Sequence, residues 1–276
     1  MPSIRAAVLA AATAFVAVTS VPARAEEPLL ADVLAKSAAY VRTFVSRFSN
    51  IVAEERHTQK QLSPGQKSRV MVSDYCLISI PGSTDWIEVL DVIEVDGKPV
   101  GDRESRMLSF VKDGAPSTWH ARALAVGRAS ARFNLQDIGT INRPLIAVTF
   151  LQTQIQDRFT FSLGPIDKKV APDARLLQFR EAKSPAMFQV GPVYGRIWVN
   201  DAGVVLKTEV LFGNNQTATN HVVTTFTPDA ALGIYVPMDM QDSYAFALQS
   251  QSVEVTGHAT YGRFRSFGVK SEESFR

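Results

Sequence analysis

The strongest periodic signal in the chain is an amphipathic stretch near its N-terminus. Over residues 29–54, apolar side chains recur every three or four positions, which places them on one side of a helix. Charged and polar residues occupy the other side, and Pro28 suits the first helical turn. The pattern predicts a helix that packs on the rest of the protein through one face.

Beyond this stretch the spacing becomes typical of strands. Runs rich in Val, Ile and aromatic residues at 68–80 and 85–95 flank a turn at 81–83, and Asp96-Gly97 predicts a tight hairpin turn. Pro237 predicts an edge or a bend. Strands joined by short turns favour an antiparallel sheet over a βαβ repeat. The remaining predicted strands are 158–163, 175–182, 194–200, 204–212, 220–227, 234–246 and 252–269.

The middle of the chain returns to helical spacing. Helices are predicted at 103–112 and 119–134, and a third, short helix at 144–154. Together they form a helical insert over about residues 103–154. The predicted fold class is therefore α+β, with a curved antiparallel sheet covered by the N-terminal helix and by this insert.

The first residues predict export. Arg5 precedes an apolar stretch at 6–18, and Ala23 and Ala25 supply the small-x-small pattern of a cleavage site. The stretch is 13 residues long, whereas a membrane-spanning helix needs about 20. We therefore expect a signal peptide at 1–25 and a periplasmic or secreted protein, with an uncleaved anchor as the alternative. Since no linker-like segment divides residues 26–276, we expect one β-rich domain.

Charge and cysteine content exclude some classes of function. Cleavage after Ala25 removes Arg5 and Arg24, so that 29 basic and 27 acidic residues become 27 of each. A neutral chain without a basic block lacks the electrostatic signature of nucleic-acid binding. The single cysteine, Cys76, cannot form an intramolecular disulfide, and its apolar surroundings predict a core thiol.

No catalytic motif is found in the sequence. It lacks the nucleophile elbow, the phosphate-binding loops and the calcium loop, so no enzyme activity, cofactor or metal is predicted. The charge cluster of Asp102, Arg103, Glu104 and Arg106 is interpreted as surface ion pairs, with contact to an ion or partner as the alternative. The histidines, none at metal-ligand spacing, and the paired carboxylates are interpreted as surface residues: His57, His120, His221, His258, Glu54 with Glu55, Asp91 with Glu94, and Glu272 with Glu273.

A curved sheet must be covered on its concave face, and incompletely filled space beneath the helices would form an apolar cavity. The phase of some strands stays open, as between Ile197 and Trp198. The alternative to a cavity is that helices and sheet pack together without a gap. The candidate cavity-lining residues are Phe44, Phe48, Trp198, Leu206, Phe226 and Phe264.

Several motifs resemble known proteins. The segment GRIWVNDAGVVLKTEVLF at 195–212, YVPM at 235–238 and ATYGRFRSFGV at 259–269 resemble strands of periplasmic lipoprotein carriers and RseB-type sensors, which share the LolA-like fold. Four other segments are similar to a set of uncharacterised secreted bacterial proteins. They are FSNIVAEE at 48–55, SDYCLISIPG at 73–82, DVIEVDGKPVGDR at 91–103 and SARFNLQDIGTINRP at 130–144.

The resemblance implies an open half-barrel with helices as a lid over an apolar interior that holds acyl chains. The insert at 103–154 departs from the carrier pattern and lies where it could fill that interior. The first hypothesis is a periplasmic binding protein or carrier for a lipid or for the acyl chain of a lipidated partner. The second is a sensor or scaffold that binds another envelope protein through a sheet edge. An enzyme is the third, which a cleft with His57 or His120 beside a carboxylate would favour.

Overall fold

Strands make up most of the described chain, and they form one antiparallel sheet. Its order is β4-β3-β2-β1-β11-β10-β9-β8-β7-β6-β5, in which β4 and β5 stand at opposite ends, so the sheet is not closed into a barrel. The predicted α+β class with a curved antiparallel sheet is confirmed. The strands are β1 (Ile51–Ser63), β2 (Lys67–Ser79), β3 (Trp86–Val95), β4 (Lys98–Pro99), β5 (Phe159–Ile166), β6 (Arg175–Glu181), β7 (Val193–Val199), β8 (Val205–Phe212), β9 (Asn220–Asp229), β10 (Ile234–Leu248) and β11 (Gln251–Ser266).

The computed structural model describes residues 29–49, 51–63, 65–79, 86–103, 118–135, 143–188, 191–213, 220–248 and 251–266. Several predictions lie outside these ranges. They are the signal peptide at 1–25 with its cleavage site, the turn at 81–83, nearly all of the helix at 103–112, and the residues Glu104, Arg106, Glu272 and Glu273.

The described helices are α1 (Leu30–Phe48), α2 (Trp119–Ala131), α3 (Ile146–Thr149) and α4 (Thr153–Gln156). The predicted N-terminal helix thus ends at Phe48 and not near Glu54, because Ser49 is extended and β1 begins at Ile51. The apolar spacing runs through both elements since the side chain of Ile51 enters the same core as Phe48. The predicted short helix at 144–154 is two separate turns, α3 and α4.

One face of the sheet packs against α1 and α3, and we call it the covered face. Phe44 and Phe48 of α1 stack with ring centroids 5.1 Å apart, and the ring of Phe264 on β11 lies 6.1 Å from Phe48. Glycine at position 203 lets α1 approach the turn between β7 and β8, since φ there is +81° and an added Cβ would lie 2.5 Å from the backbone of Lys36.

Strand β1 lies at the centre of the sheet, between β2 and β11, yet no strand was predicted at 55–63. Its inward positions change from apolar to polar along the strand, so the alternation of apolar and polar residues that marks a half-buried strand is absent. These inward residues, all buried, are Ile51, Ala53, Glu55, His57, Gln59 and Gln61.

The hairpin turn predicted at Asp96-Gly97 is present in the structure. Asp96 and Gly97 have φ of 50° and 78°, as a two-residue type I′ turn requires, and they join β3 to β4. Pro237 lies in β10, an interior strand, where the register with β9 shifts between Pro237 and Asp239. Of the two outcomes predicted for Pro237, the edge is therefore wrong, and the residue stands at an irregularity of the strand pairing.

Helix α2 packs beside β3, near one end of the sheet. Strand β4 is only two residues long, so within the described part of the chain most of the outer side of β3 has no strand neighbour. The backbone N–H of Val92 donates instead to Ser130 Oγ of α2, at 3.4 Å. Val126 of α2 packs against Ile87 and Val89 of β3. The insert therefore covers an edge that would otherwise be open to another strand.

Candidate functional site

Four of the six predicted cavity residues lie in the core beneath α1. Phe44 and Phe48 are 1% and 0% exposed, and Phe226 and Phe264 belong to the same cluster. Aromatic contacts within this cluster fill the space between α1 and the sheet. The structure therefore places these residues together, in a packed part of the covered face.

Trp198 and Leu206 lie on the opposite face of the sheet, and the strand phase assumed for them is corrected. They pack with Ala174 beneath the β5–β6 connection, and the indole Nε1–H donates to Asp167 Oδ2 at 3.1 Å. Ile197, the neighbour of Trp198, points to the covered face. Both faces of β7 are buried at this point, so apolar character alone could not reveal which residues face inward.

A cavity of about 210 Å³ lies between the covered face of β1, β2 and β3 on one side and the C-terminal half of α2 with residues 143–144 on the other. It lies between sheet and insert, where the sequence left open an apolar cavity or packing without a gap, and its lining is only partly apolar. The lining residues are Glu55, His57, Met71, Ser73, Tyr75, Glu88, Val89, Leu90, Val92, Gly127, Arg128, Ser130, Ala131, Asn134, Arg143 and Pro144.

Glu55 forms part of the cavity floor. It is 1% exposed, and its Oε1 accepts a hydrogen bond from the hydroxyl of Tyr261 at 2.8 Å. The second oxygen, Oε2, is buried without a hydrogen-bond partner among the residues that the structure describes. Burial raises the pKa of Glu55, although His57 and the Tyr261 hydroxyl act in the opposite direction. The floor therefore presents an acceptor whose hydrogen-bonding capacity is not used.

His57 lies two residues further along β1 and is paired with a carboxylate. Its Nε2 is 2.9 Å from Oδ1 of Asp242 on β10, and the two side chains are 1% and 2% exposed. Burial alone would lower the pKa of His57, but the hydrogen bond and charge of Asp242 and the charge of Glu55 outweigh it and raise the pKa. The geometry favours a protonated imidazole shared between two acids.

A second carboxylate, Glu88 of β3, belongs to the cavity wall. The hydroxyl of Tyr75 donates to its Oε2 at 2.9 Å. Burial raises the pKa of Glu88, whereas Arg143, Tyr75 and the backbone of Leu145 lower it. Glu88 thus has hydrogen-bond donors and a cation around it.

Two side chains of the sheet hold the end of α2 over the cavity. Gln59 of β1 donates from Nε2 to Asn134 Oδ1 at 2.9 Å and accepts from the backbone N–H of Leu135 at 2.8 Å. Arg69 of β2 donates to the carbonyl oxygens of Phe133 and Asn134 at 2.6 and 3.0 Å. These bonds satisfy backbone groups where the helix ends.

A second recess, of about 460 Å³, lies beside α1. Val41 and Val45 of α1 and Trp86 of β3 form apolar walls, and Arg42 and Gln154 add polar groups. This recess and the cavity under α2 have no lining residue in common.

The sequence interpretation of several charged residues is corrected. Glu55, Asp91 and His57 were expected on the surface, but all three are buried. Arg103 pairs with Asp91 at 3.3 Å and with Asp74 at 2.5 Å, so part of the charge cluster at 102–106 does form ion pairs as predicted. Cys76 is partly buried among Ile78, Ile87 and Val89, and burial raises its pKa to about 12.

Within the ranges that the structure describes, no three His, Cys, Asp or Glu side chains form a group that could hold a metal ion. In the same ranges, no helix combines the length and the apolar character needed to cross a membrane. The arrangement that remains is an enclosed polar floor with apolar walls. It can accept hydrogen bonds and hold a proton between Glu55, His57 and Asp242.

Comparison with known proteins gives likeness of structure only. No protein-family model matches the sequence, and no curated protein matches it significantly. A protein of the DUF1329 family from Desulfovibrio piger is 11% identical with a TM-score of 0.42, over 89% of this chain and 97% of that one. A domain from Vibrio parahaemolyticus, described as an outer membrane lipoprotein-sorting protein, is 9% identical with a TM-score of 0.41, over 86% and 95%.

A LolA superfamily protein from Nitrosomonas europaea is 12% identical with a TM-score of 0.33, over 87% of this chain and 97% of that one. At identities and TM-scores this low, the likeness gives no information on a ligand or partner.

Proposed function

We propose that this chain is an exported binding protein that holds a small amphiphilic ligand, or the head group of a larger one, in the cavity between β1–β3 and the insert. One observation supports the proposal. Glu55 lines the cavity, and its buried Oε2 has no hydrogen-bond partner among the described residues. A buried polar group left unpaired is costly, so such a group in a cavity points to a ligand.

The lining argues for an amphiphile and not for a wholly apolar ligand. Met71, Leu90 and Val92 offer apolar surface, while Glu55 and His57 lie at the floor. Binding pockets that are mostly apolar with a few polar groups fix a ligand's orientation through those groups. The ligand's polar end would therefore point to β1 and its apolar part to β2 and β3.

The size of the cavity limits what it can enclose. A cavity of about 150 Å³ holds a benzene molecule, and pockets for drug-sized ligands begin at about 300 Å³. At about 210 Å³, the space suits a head group or a short chain. The acyl chains of a lipid or of a lipidated partner, which the sequence suggested as cargo, would extend beyond it.

The predicted signal peptide places this function in the periplasm or outside the cell. The partner would then be a free lipid, a lipidated protein or another envelope protein that presents the ligand. A carrier or a sensor binds its ligand without converting it, and this is the role that we propose.

Calorimetry with straight-chain alcohols of increasing length tests the proposal. Each buried CH₂ contributes about 0.8 kcal/mol, so affinity should rise with chain length and level off once the cavity is full. Gly127 lines the cavity, and an added Cβ there meets no atom within 4 Å. Gly127→Phe should therefore reduce the space and weaken binding, whereas Ala125→Phe, at an exposed position of the same helix, should not.

If no alcohol binds to folded protein, or if Gly127→Phe binds as well as the unsubstituted protein, the cavity is not a ligand site. The better interpretation would then be an interaction module that uses a sheet edge. Mass spectrometry of protein purified from its own envelope gives an independent test, since a bound amphiphile should be released on denaturation.

A second candidate function, an enzyme with His57 as general acid, is favoured by the position of His57 beside Asp242 in a cavity. Conversion of the co-purified ligand by the protein, lost in His57→Gln while binding persists, would support this function. Recovery of the ligand unchanged would argue for binding alone.

A further inference from the structure

We infer, building on the binding function proposed above, that the cavity selects ligands that carry a protonated amine, which would bind the carboxylate of Glu55. The amine would donate to Oε2, the oxygen of Glu55 that is buried without a hydrogen-bond partner among the described residues. The hydroxyl of Ser73 also lies near Glu55, but its oxygen is likewise buried without a partner in those residues. Oε1 already accepts from Tyr261 at 2.8 Å, so the carboxylate is held in a fixed orientation. The missing partner is a donor, because a carboxylate oxygen can only accept.

The groups around Glu55 make the floor rich in acceptors. His57 faces it from β1, Tyr261 from β11, Asp242 from β10 and Ser73 from β2. Oδ2 of Asp242 is also buried without a hydrogen-bond partner. When both carboxylates are ionised, Glu55 and Asp242 together with His57 carry a net negative charge, even if His57 is protonated. A monovalent cation would compensate that charge in a place where little water can do so.

Glu88 and Arg128, two other charged residues that line the cavity, differ from Glu55 in their surroundings. Glu88 is satisfied by the Tyr75 hydroxyl and lies near Arg143 and the backbone of Leu145. Arg128 is exposed, at the mouth of the cavity. An exposed guanidinium is solvated and recognises an anion weakly, whereas an unpaired buried acceptor loses its full hydration until a donor arrives. The floor, and not the mouth, should therefore decide which ligands bind.

The charge of Glu55 itself supports the choice of ligand. Burial raises its pKa, and an ammonium group beside it would act in the opposite direction. Amine binding should therefore release a proton from Glu55. Affinity should rise with pH until the amine itself loses its charge.

Three six-carbon probes of similar shape test the inference by calorimetry: hexylamine, 1-hexanol and hexanoate. The unsubstituted protein should bind hexylamine about tenfold more tightly than 1-hexanol, since charge-assisted hydrogen bonds are stronger than neutral ones. Glu55→Gln should abolish this preference while 1-hexanol still binds. Glu54→Gln is the matched control, because Glu54 points to the other face of β1 and pairs with Arg263 at 2.9 Å.

The outcomes separate this inference from the proposed function. Equal affinity for hexylamine and 1-hexanol, or tighter binding of hexanoate, would overturn amine selection and leave the binding function intact. Failure of all three probes to bind would overturn both. The comparison of amine with alcohol on unsubstituted protein decides the matter even if Glu55→Gln does not fold.

Discussion

Nε2 of His57 lies 2.9 Å from Oδ1 of Asp242, and the two side chains meet above Gly257. His57 belongs to β1 and Asp242 to β10, so β11 runs between them. A Cβ at position 257 would lie 2.4 Å from Nε2 of His57 and 2.1 Å from Oδ1 of Asp242. The pair can form only because the residue between its members has no side chain.

Gly257→Ala should therefore destabilise the protein by about 3–5 kcal/mol, the cost of disrupting a buried charged pair. The measurement is the free energy of unfolding in urea. Gly262→Ala, on the same strand, is the control, because an added Cβ at 262 meets no atom within 4 Å. Equal stability of the two variants would show that the His57–Asp242 contact is not tight in solution.

The pair should also make stability depend on pH. The pKa of His57 is raised in the folded state above its ordinary value of 6.5, so its contribution is complete below that pH and is lost as pH rises through the folded-state pKa. The raised pKa of Glu55 acts with the same sign, starting from 4.5. We expect the unfolding free energy to fall as the pH rises above the ordinary pKa of histidine, 6.5.

His57→Gln should reduce this pH dependence, because glutamine does not titrate and only the contribution of Glu55 remains. His258→Gln, which removes an imidazole that is 55% exposed, should leave it unchanged. An unchanged slope in His57→Gln would assign the effect to other groups.

The elements that could be predicted are those fixed by local chemistry. The helix at α1 follows from apolar spacing, and the hairpin at Asp96-Gly97 follows from two residues that tolerate positive φ. The strand β1 could not be found in this way, because Glu55 and His57 replace apolar residues on its buried side. These polar residues interrupt the apolar pattern by which a strand is recognised, and they are also the residues that line the candidate site.

The partners of these residues also lie far away in sequence. Glu55 and Tyr261 are 206 positions apart, and His57 and Asp242 are 185 apart. Only the pairing of β1 with β11, and of β11 with β10, brings them together. A single sequence holds no local signal for that pairing, so both carboxylates could be interpreted as surface charges.

Trp198→Ala should lower stability by about 3–5 kcal/mol without changing ligand affinity in the folded protein. The indole is 4% exposed, but it packs with Leu206 on the face opposite the cavity. Thermal unfolding and calorimetry with 1-hexanol measure the two quantities. Loss of binding by a variant that circular dichroism shows to be folded would mean that the ligand contacts the other face.

The last prediction concerns the attachment of the insert. Gln59→Leu keeps the size of the side chain but leaves the N–H of Leu135 and the Oδ1 of Asn134 without the bonds that they make to Gln59. An unsatisfied buried polar group costs about 1–3 kcal/mol, and each 1.4 kcal/mol corresponds to about a tenfold change in an opening equilibrium. Amide hydrogen exchange over residues 119–135 should therefore accelerate by about tenfold or more.

Exchange in β7 and β8 should stay unchanged, because these strands make no contact with Gln59. Gln178→Leu is the matched control, since Gln178 is exposed on β6 and accepts only a long hydrogen bond from Ser162 at 3.4 Å. Binding of 1-hexanol should weaken in Gln59→Leu, because Asn134 and the end of α2 form one wall of the cavity. Unchanged exchange together with unchanged affinity would show that Arg69 alone holds the insert in place, through its bonds to the carbonyl oxygens of Phe133 and Asn134.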